Sequence, residues 1–337
     1  MKLRECLSVP KINDPSHDDN NRKVVVIVGP TAVGKSRLAL DIASNFSGEI
    51  VSADSIQVYK GMDIGTAKPN QEERSIAPHH MIDISTPKHS YTVAEFNEDA
   101  REVIDNVIER KKLPVIVGGS GLYINSLIYD MDFSGKGGDD QFRDELLKLA
   151  DAYGNEYLYD ILKDKDPLSA ERVHPNNLKR VVRLLERLEG TIENDGLREF
   201  THSFVPTDQF EPLLIRLIMD RDVLYERIEK RVDEFVSDGL VDEVNGLLNA
   251  GVPKDATSLL GIGYKEIVSH IEGEYDLEEA ISLIKRNTRR FAKRQDTWFK
   301  RYENAQIIDM TGENRYEEAQ NEVFGLVSAF LGDDLVV

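Results

Sequence analysis

The sequence predicts an α/β fold: a parallel sheet with flanking helices, interrupted by a helical insertion domain. Three observations predict it. The β-branched run Val24 to Val28 breaks into Gly29-Pro30-Thr31-Ala32-Val33-Gly34-Lys35-Ser36 and then into a helical pattern from Leu38 to Ile42. Strand, loop and helix therefore follow in the order that a phosphate-cradling loop requires. Strand and helix patterns go on alternating through the first half, and near Met131 they give way to short amphipathic helices. The expected class is P-loop NTPase-like, with 1–22 as a polar tail, 23–133 as the first part of the core, 134–204 as the insertion and 205–337 as the second part, which carries a basic C-terminal helix.

The loop has a chemistry of its own. Gly29 and Gly34 let backbone N–H groups turn inward on an anion, Lys35 supplies a point charge, and Ser36 offers a hydroxyl for Mg2+ at the positive end of a helix. The segment reads as a phosphate site.

Composition narrows the class of protein. The chain has 337 residues and 40% apolar content, enough for one large domain with an insertion. A single cysteine, Cys6, rules out an intramolecular disulfide and fits a reducing compartment, and no Cys/His spacing suits zinc. No stretch approaches the roughly 18 apolar residues of a membrane helix, and the acidic N-terminal tail resembles neither a signal nor a transit peptide. A cytoplasmic monomer without a membrane partner is expected. The net charge of −19 argues by itself against a nucleic-acid partner, since Lys and Arg neutralising phosphates supply most non-specific affinity. Residues 285–301 run the other way, with eight basic side chains and one acid, Asp296. On a helix, Ile284, Thr288, Phe291, Gln295 and Trp298 would form a narrow buried stripe flanked by those cations.

Taken in order, Glu49 to Ser55 reads as a strand ending in polar residues, and Tyr59 to Pro69 as a loop rich in Gly and donors. Ligands bind at the strand ends of parallel sheets, so Asp54 could face the phosphate loop. A second Mg2+ carboxylate and a helix cap are equally reasonable roles for it. Pro78 to Asp83 reads as a short strand whose His79 and His80 lack a third ligand at metal spacing, which makes them structural. Thr92 and Glu95 form a capping box for a helix to about Arg110, and Leu113 to Val117 is a buried strand. Gly118-Gly119-Ser120-Gly121 is then a second strand-to-helix turn, either a further ligand contact or simply a tight turn.

After a junction at 134–140, helices are expected over Phe142 to Tyr153, Glu156 to Lys163, Pro167 to Val173 and Asn177 to Leu188, the last with Arg180, Arg183 and Arg187 on one side. Leu213 to Met219 resumes the sheet. Asp220 caps a long helix burying Leu224, Ile228, Val232, Phe235 and Leu240, with Arg227 and Arg231 one turn apart.

The sequence resembles the bacterial tRNA dimethylallyltransferases (isopentenyltransferases). The likeness runs through residues 29–36, through Ser52-Ala53-Asp54-Ser55-Ile56-Gln57-Val58-Tyr59 and on to Pro69, and through 78–83 and 117–123. It continues through His174-Pro175-Asn176-Asn177, 220–228, Gly261-Ile262-Gly263-Tyr264-Lys265-Glu266 and 289–299, covering about 23–301. The resemblance implies transfer of a dimethylallyl group from its diphosphate to N6 of the adenosine beside the anticodon, so that the loop holds a diphosphate leaving group. It implies Asp54 as the base, with Ser120 and Arg231 as catalytic partners at the diphosphate. Gly29, Thr31, Ala32, Val33, Gly34, Lys35 and Ser36, with Mg2+ on Ser36, would bind the diphosphate. It further implies that Ser55, Gln57, Tyr59, Lys60, Asp63 and Lys68 hold the flipped-out adenosine and its neighbours. Arg180, Arg183, Arg289, Lys293, Arg294 and Gln295 would meet the anticodon stem-loop.

The chain departs from the family pattern at Ser120, where a threonine is expected, at Asp296, and at Glu189-Gly190-Thr191-Ile192. Two other activities share parts of the pattern. An adenylate dimethylallyltransferase acting on free AMP, ADP or ATP would not need the insertion or the basic helix. A small-molecule P-loop kinase would leave the second glycine turn unexplained.

Overall fold

Lys23–Val28 form β1, in which Val24 through Val28 are fully buried. A strand apolar on both faces must be covered on both, as in the interior of a parallel sheet. The computed structural model describes residues 22–131, 140–190, 205–312 and 315–332. From β1 the chain runs through α1 (Lys35–Asn45), β2 (Gly48–Ser52), α2 (Gln71–Ile76), β3 (His79–His80), α3 (Val93–Glu109), β4 (Leu113–Gly118) and α4 (Gly121–Ile128). Next come α5 (Asp140–Tyr153), α6 (Asn155–Lys165), α7 (Pro167–Ala170) and α8 (Leu178–Leu188). Then follow β5 (Glu211–Ile218), α9 (Arg221–Ser237), α10 (Leu240–Asn249), α11 (Tyr264–Ile271), α12 (Leu277–Phe299), β6 (Gln306–Asp309) and α13 (Arg315–Leu331).

The six strands form one all-parallel sheet in the order β3-β2-β4-β1-β5-β6. Val25 sits between Val115 of β4 and Leu213 of β5. The chain leaves β1 toward β2 on one side and returns on the other as β5, so the crevice for a ligand opens at the carboxyl end of β1.

The chain divides into two compact units. The larger holds 22–91, 98–123 and the described residues from 208 onward. Its core joins Val25, Ile27, Leu38, Ile42 and Leu217 to Val323 and Val327 of α13. Each such side chain contributes about 1.5–3 kcal/mol on burial. The smaller holds 92–97 and the described residues of 124–207, with a core of Leu158, Leu162, Val181, Val182 and Leu185.

The expected helix through Leu240 is two helices. Gly239, at φ 103°, turns the chain in the left-handed region between α9 and α10. On α12 the buried stripe is Ala280, Ile284, Ala292, Gln295 and Phe299, while Thr288, Phe291 and Trp298 are half-buried. The acidic tail, the junction at 134–139 and residues 191–204 lie outside the described residues. Among the described residues no helix is long and apolar enough to cross a membrane.

Candidate active site

The first glycine turn opens α1 without a side-chain cap. Gly34 is its N-cap at φ 106°, a conformation that costs other residues more than glycine. The first-turn amides of a helix have no intrahelical partner, so here they stand open to a cavity of about 950 Å3. Lys35 Nζ donates to the carbonyls of Gly29 (2.9 Å) and Pro30 (2.7 Å). Desolvation and repulsion from Arg231 lower the Lys35 ammonium to about 7, against an opposing pull from Asp54. Arg231, on α9, is itself held below its usual value by burial. The loop therefore meets two poorly solvated basic groups, Lys35 and Arg231, whose charged forms a bound anion would favour.

Asp54 follows β2. Its Oδ1 accepts the amides of Ile56 (2.9 Å) and Gln57 (3.3 Å), an Asx turn that fixes the carboxylate and leaves Oδ2 for the cavity. Gln57 Oε1 accepts from the Ser52 hydroxyl, and Nε2 donates to the carbonyl of Thr66 at 3.1 Å, tying the strand end to the 63–69 loop. Within that loop the Lys68 ammonium, 1% exposed, binds Tyr59 O, Asp63 Oδ1 and Asp83 Oδ1. Burial pushes the Asp83 carboxyl up, but Lys68 and Arg74 outweigh it and hold the group below its ordinary range.

The second turn is built differently. A Cβ on Gly118 would stand 2.1 Å from Ala53 O, one on Gly119 2.2 Å from Gln295 Nε2, and one on Gly121 2.4 Å from Trp298 Nε1. Gly118 and Gly119 also line the cavity, while the side chain of Ser120 and the carbonyl of Gly119 bond inside the protein. The Ser120 hydroxyl accepts the Ser55 amide at 3.0 Å and donates to the Ser55 hydroxyl. Gln295, 5% exposed, accepts from the Thr31 amide (2.9 Å) and donates to Gly119 O (3.0 Å), pinning the two turns together.

Of the sequence-derived candidates, Thr31, Ala32, Gly34, Lys35, Ser36 and Asp54 meet around the one cavity, with Gln57, Asp63, Lys68, Arg231 and Gln295 completing its wall. Gly29 and the buried Val33 shape the loop from behind. Tyr59, 1% exposed, accepts the Tyr91 amide and does not line the cavity. Ser55 and Ser120 sit behind Asp54, and Lys60 is exposed outside the wall. On α12, Lys293 and Arg294 are exposed, whereas Arg289 is ion-paired with Glu229. Arg180 is exposed on α8, and Arg183 is 3.8 Å from Glu186.

Sequence reasoning missed Arg74, Asp83, Phe235 and Phe291, which also line the cavity. The Asn70–Glu73 capping box that starts α2 was the available signal for the first of these. Asp296 proves neutralised: it pairs with the buried Arg216 (2.7 Å) and with Lys300 (2.9 Å), which together outweigh burial and keep its carboxyl low. His79 and His80 bond Ala77 O and Glu49, and no cluster of three His, Cys, Asp or Glu suits a metal among the described residues.

A parallel α/β sheet that sets an uncapped helix N-terminus, two cations and a fixed carboxylate around one cavity can receive a phosphorylated ligand beside a group able to take up a proton. The chain belongs to the IPP transferase family, whose model matches residues 57–302. It is 48% identical to the tRNA dimethylallyltransferase of Alkaliphilus metalliredigens over 87% of this chain and 93% of that one. The tRNA isopentenylpyrophosphate transferase of Bacillus halodurans has the same fold, with TM-score 0.69 and 42% identity over 92% of this chain and 97% of that one. A eukaryotic dimethylallyltransferase acting on tRNA matches with TM-score 0.71 and 25% identity over 90% of this chain and 80% of that one.

Proposed function

We propose that the protein transfers a dimethylallyl group from dimethylallyl diphosphate to N6 of the adenosine on the 3′ side of the anticodon in tRNA, releasing diphosphate. The observation that carries this reading is the shared cavity, which Asp54, Lys35 and Arg231 all line. The N6 lone pair attacks C1 of the dimethylallyl group, the C1–O bond breaks, and its electron pair leaves with diphosphate. Asp54 orients the amine and takes its proton as the C–N bond forms. Lys35, Arg231 and the α1 amides stabilise the charge that develops on the departing diphosphate.

Mg2+ fits the donor set. The exposed Ser36 hydroxyl at the α1 N-terminus would supply one oxygen, and with no cluster of three metal-ligating side chains among the described residues the other ligands would come from diphosphate and water. Its chemistry there is to neutralise diphosphate charge. The 63–69 loop and Gln57 hold the flipped-out adenosine, since a base must leave its stack to reach a recessed carboxylate. Ser55 and Ser120 act behind Asp54 by fixing the turn that carries it. Exposed cations, Lys293 and Arg294 on α12 and Arg180 on α8, contact anticodon-stem phosphates. The reading also includes a cytoplasmic monomer.

The test supplies purified protein, Mg2+ and labelled dimethylallyl diphosphate with unmodified tRNA and, in parallel, AMP. Label on tRNA alone is expected. Label on AMP would move the acceptor to free nucleotides, and label on neither would sink prenyl transfer.

A further inference from the structure

The 63–69 loop that walls one side of the cavity has turn bonds of its own, Ala67 N to Ile64 O and Lys68 N to Asp63 O, and is held from outside as well. The amides of Asp63 and Ile64 donate to Glu243 Oε2, both at 2.8 Å, and that of Gly65 to Oε1 at 3.3 Å. The same Oε1 accepts the Tyr264 hydroxyl at 2.7 Å. Glu243 lies on α10 and Tyr264 opens α11, and neither lines the cavity. One carboxylate thus collects three successive backbone amides and a phenol, a set of charge-assisted bonds about twice as strong as neutral ones.

The backing is rigid. Tyr264 is 1% exposed, and burial together with the Glu243 charge pushes its phenol above the ordinary value, so it stays a donor. Gly65 lies directly on the ring, where a Cβ would stand 2.7 Å from Tyr264 Cε2. The ring sets how close the loop comes, and the carboxylate sets its register. At the far end of the loop, Gln57 holds Thr66 from the Asp54 side.

We propose that Glu243, backed by Tyr264, is a positioning residue for the acceptor nucleoside: it holds 63–66 where N6 meets Asp54, and it does nothing for the diphosphate. The proposal rests on the reading that this loop holds the acceptor. Glu243→Gln keeps the size of the side chain but sets an amide N–H2 against a row of N–H donors. In the full-length protein this variant should lose about 100-fold in kcat/KM for tRNA, while the dissociation constant for dimethylallyl diphosphate moves by less than about twofold. Tyr264→Phe, which removes one donor of the four, should fall between wild type and Glu243→Gln. Faster amide exchange at 63–65 in a Glu243→Gln protein that keeps its cooperative melt would locate the change in the loop. Unchanged tRNA kinetics, or an equal loss of diphosphate affinity, would overturn the proposal. A wild-type protein that does not prenylate tRNA would instead overturn the reading on which it rests.

Discussion

The two glycine turns at the carboxyl edge of the sheet look alike as sequence and differ as physics. In the first, Gly34 serves a backbone conformation, and the amides that follow it stand unspent at a helix terminus. In the second, Gly118, Gly119 and Gly121 serve close approach, with Ala53, Gln295 and Trp298 filling the space where side chains would go. One turn presents unpaired helix amides to the cavity, while the other, whose Gly118 and Gly119 also line it, is closely packed from behind. The second turn therefore supports the site by fixing what surrounds it: Ser120 holds Ser55, next to Asp54, and Gln295 bridges Gly119 to Thr31.

That contrast can be broken experimentally, beginning with the largest expected effect. Asp54→Asn preserves an oxygen for the Asx turn and removes only the base, so kcat should fall by about 10²–10⁴ with dimethylallyl diphosphate binding intact. Substantial residual turnover would remove Asp54 from proton transfer.

The open turn should also bind its ligand in a pH-dependent way. Free Lys35 loses its proton near pH 7, whereas a bound diphosphate favours the ammonium and keeps it charged to higher pH. Below that pH both states carry the proton and Lys35 adds no pH dependence. Above it binding must capture one, and affinity falls by up to about tenfold per pH unit. Calorimetry at pH 8 in two buffers of different ionisation heat should report proton uptake in the wild type and much less in Lys35→Ala. Equal uptake in both would place the titrating group elsewhere.

The packed turn should answer in stability. Gly121→Ala pushes a methyl against the Trp298 indole, and overpacking of this kind costs about 1–3 kcal/mol, read as a lower Tm with diphosphate affinity nearly unchanged. A loss of affinity without a loss of Tm would make the second turn a ligand site after all. Ser120→Ala is the mildest change, removing hydrogen bonds to Ser55 worth about 1 kcal/mol each. Its kcat should drop only severalfold, and a collapse to the level of Asp54→Asn would put Ser120 on the reacting groups themselves.

What the sequence revealed and what it hid follow from the range of the forces involved. The strand, glycine turn and helix of residues 23–45 were legible because they are contiguous and their conformations are local. The packed nature of the second turn was not, because Gln295 and Trp298 arrive from α12, far along the chain. Lys68 and Arg289 read as free cations until their partners, Asp63, Asp83 and Glu229, came together in space. Glu243 was invisible for a similar reason. On its helix it looks like one more solvated acid, and only the loop it holds gives it a role.

The all-parallel sheet also has a consequence for how the chain comes into being. β1 leaves the ribosome early, yet one of its neighbours is β5, with Lys23 registered against Glu211. At about 5–20 residues per second, an apolar strand buried on both faces in the finished protein waits roughly 10–40 s for that partner. The anion turn that hangs from β1 cannot set until then. Nascent chains halted before β5 should thus lack a formed first glycine turn, which makes that loop, early in the sequence, among the late parts of the molecule to mature.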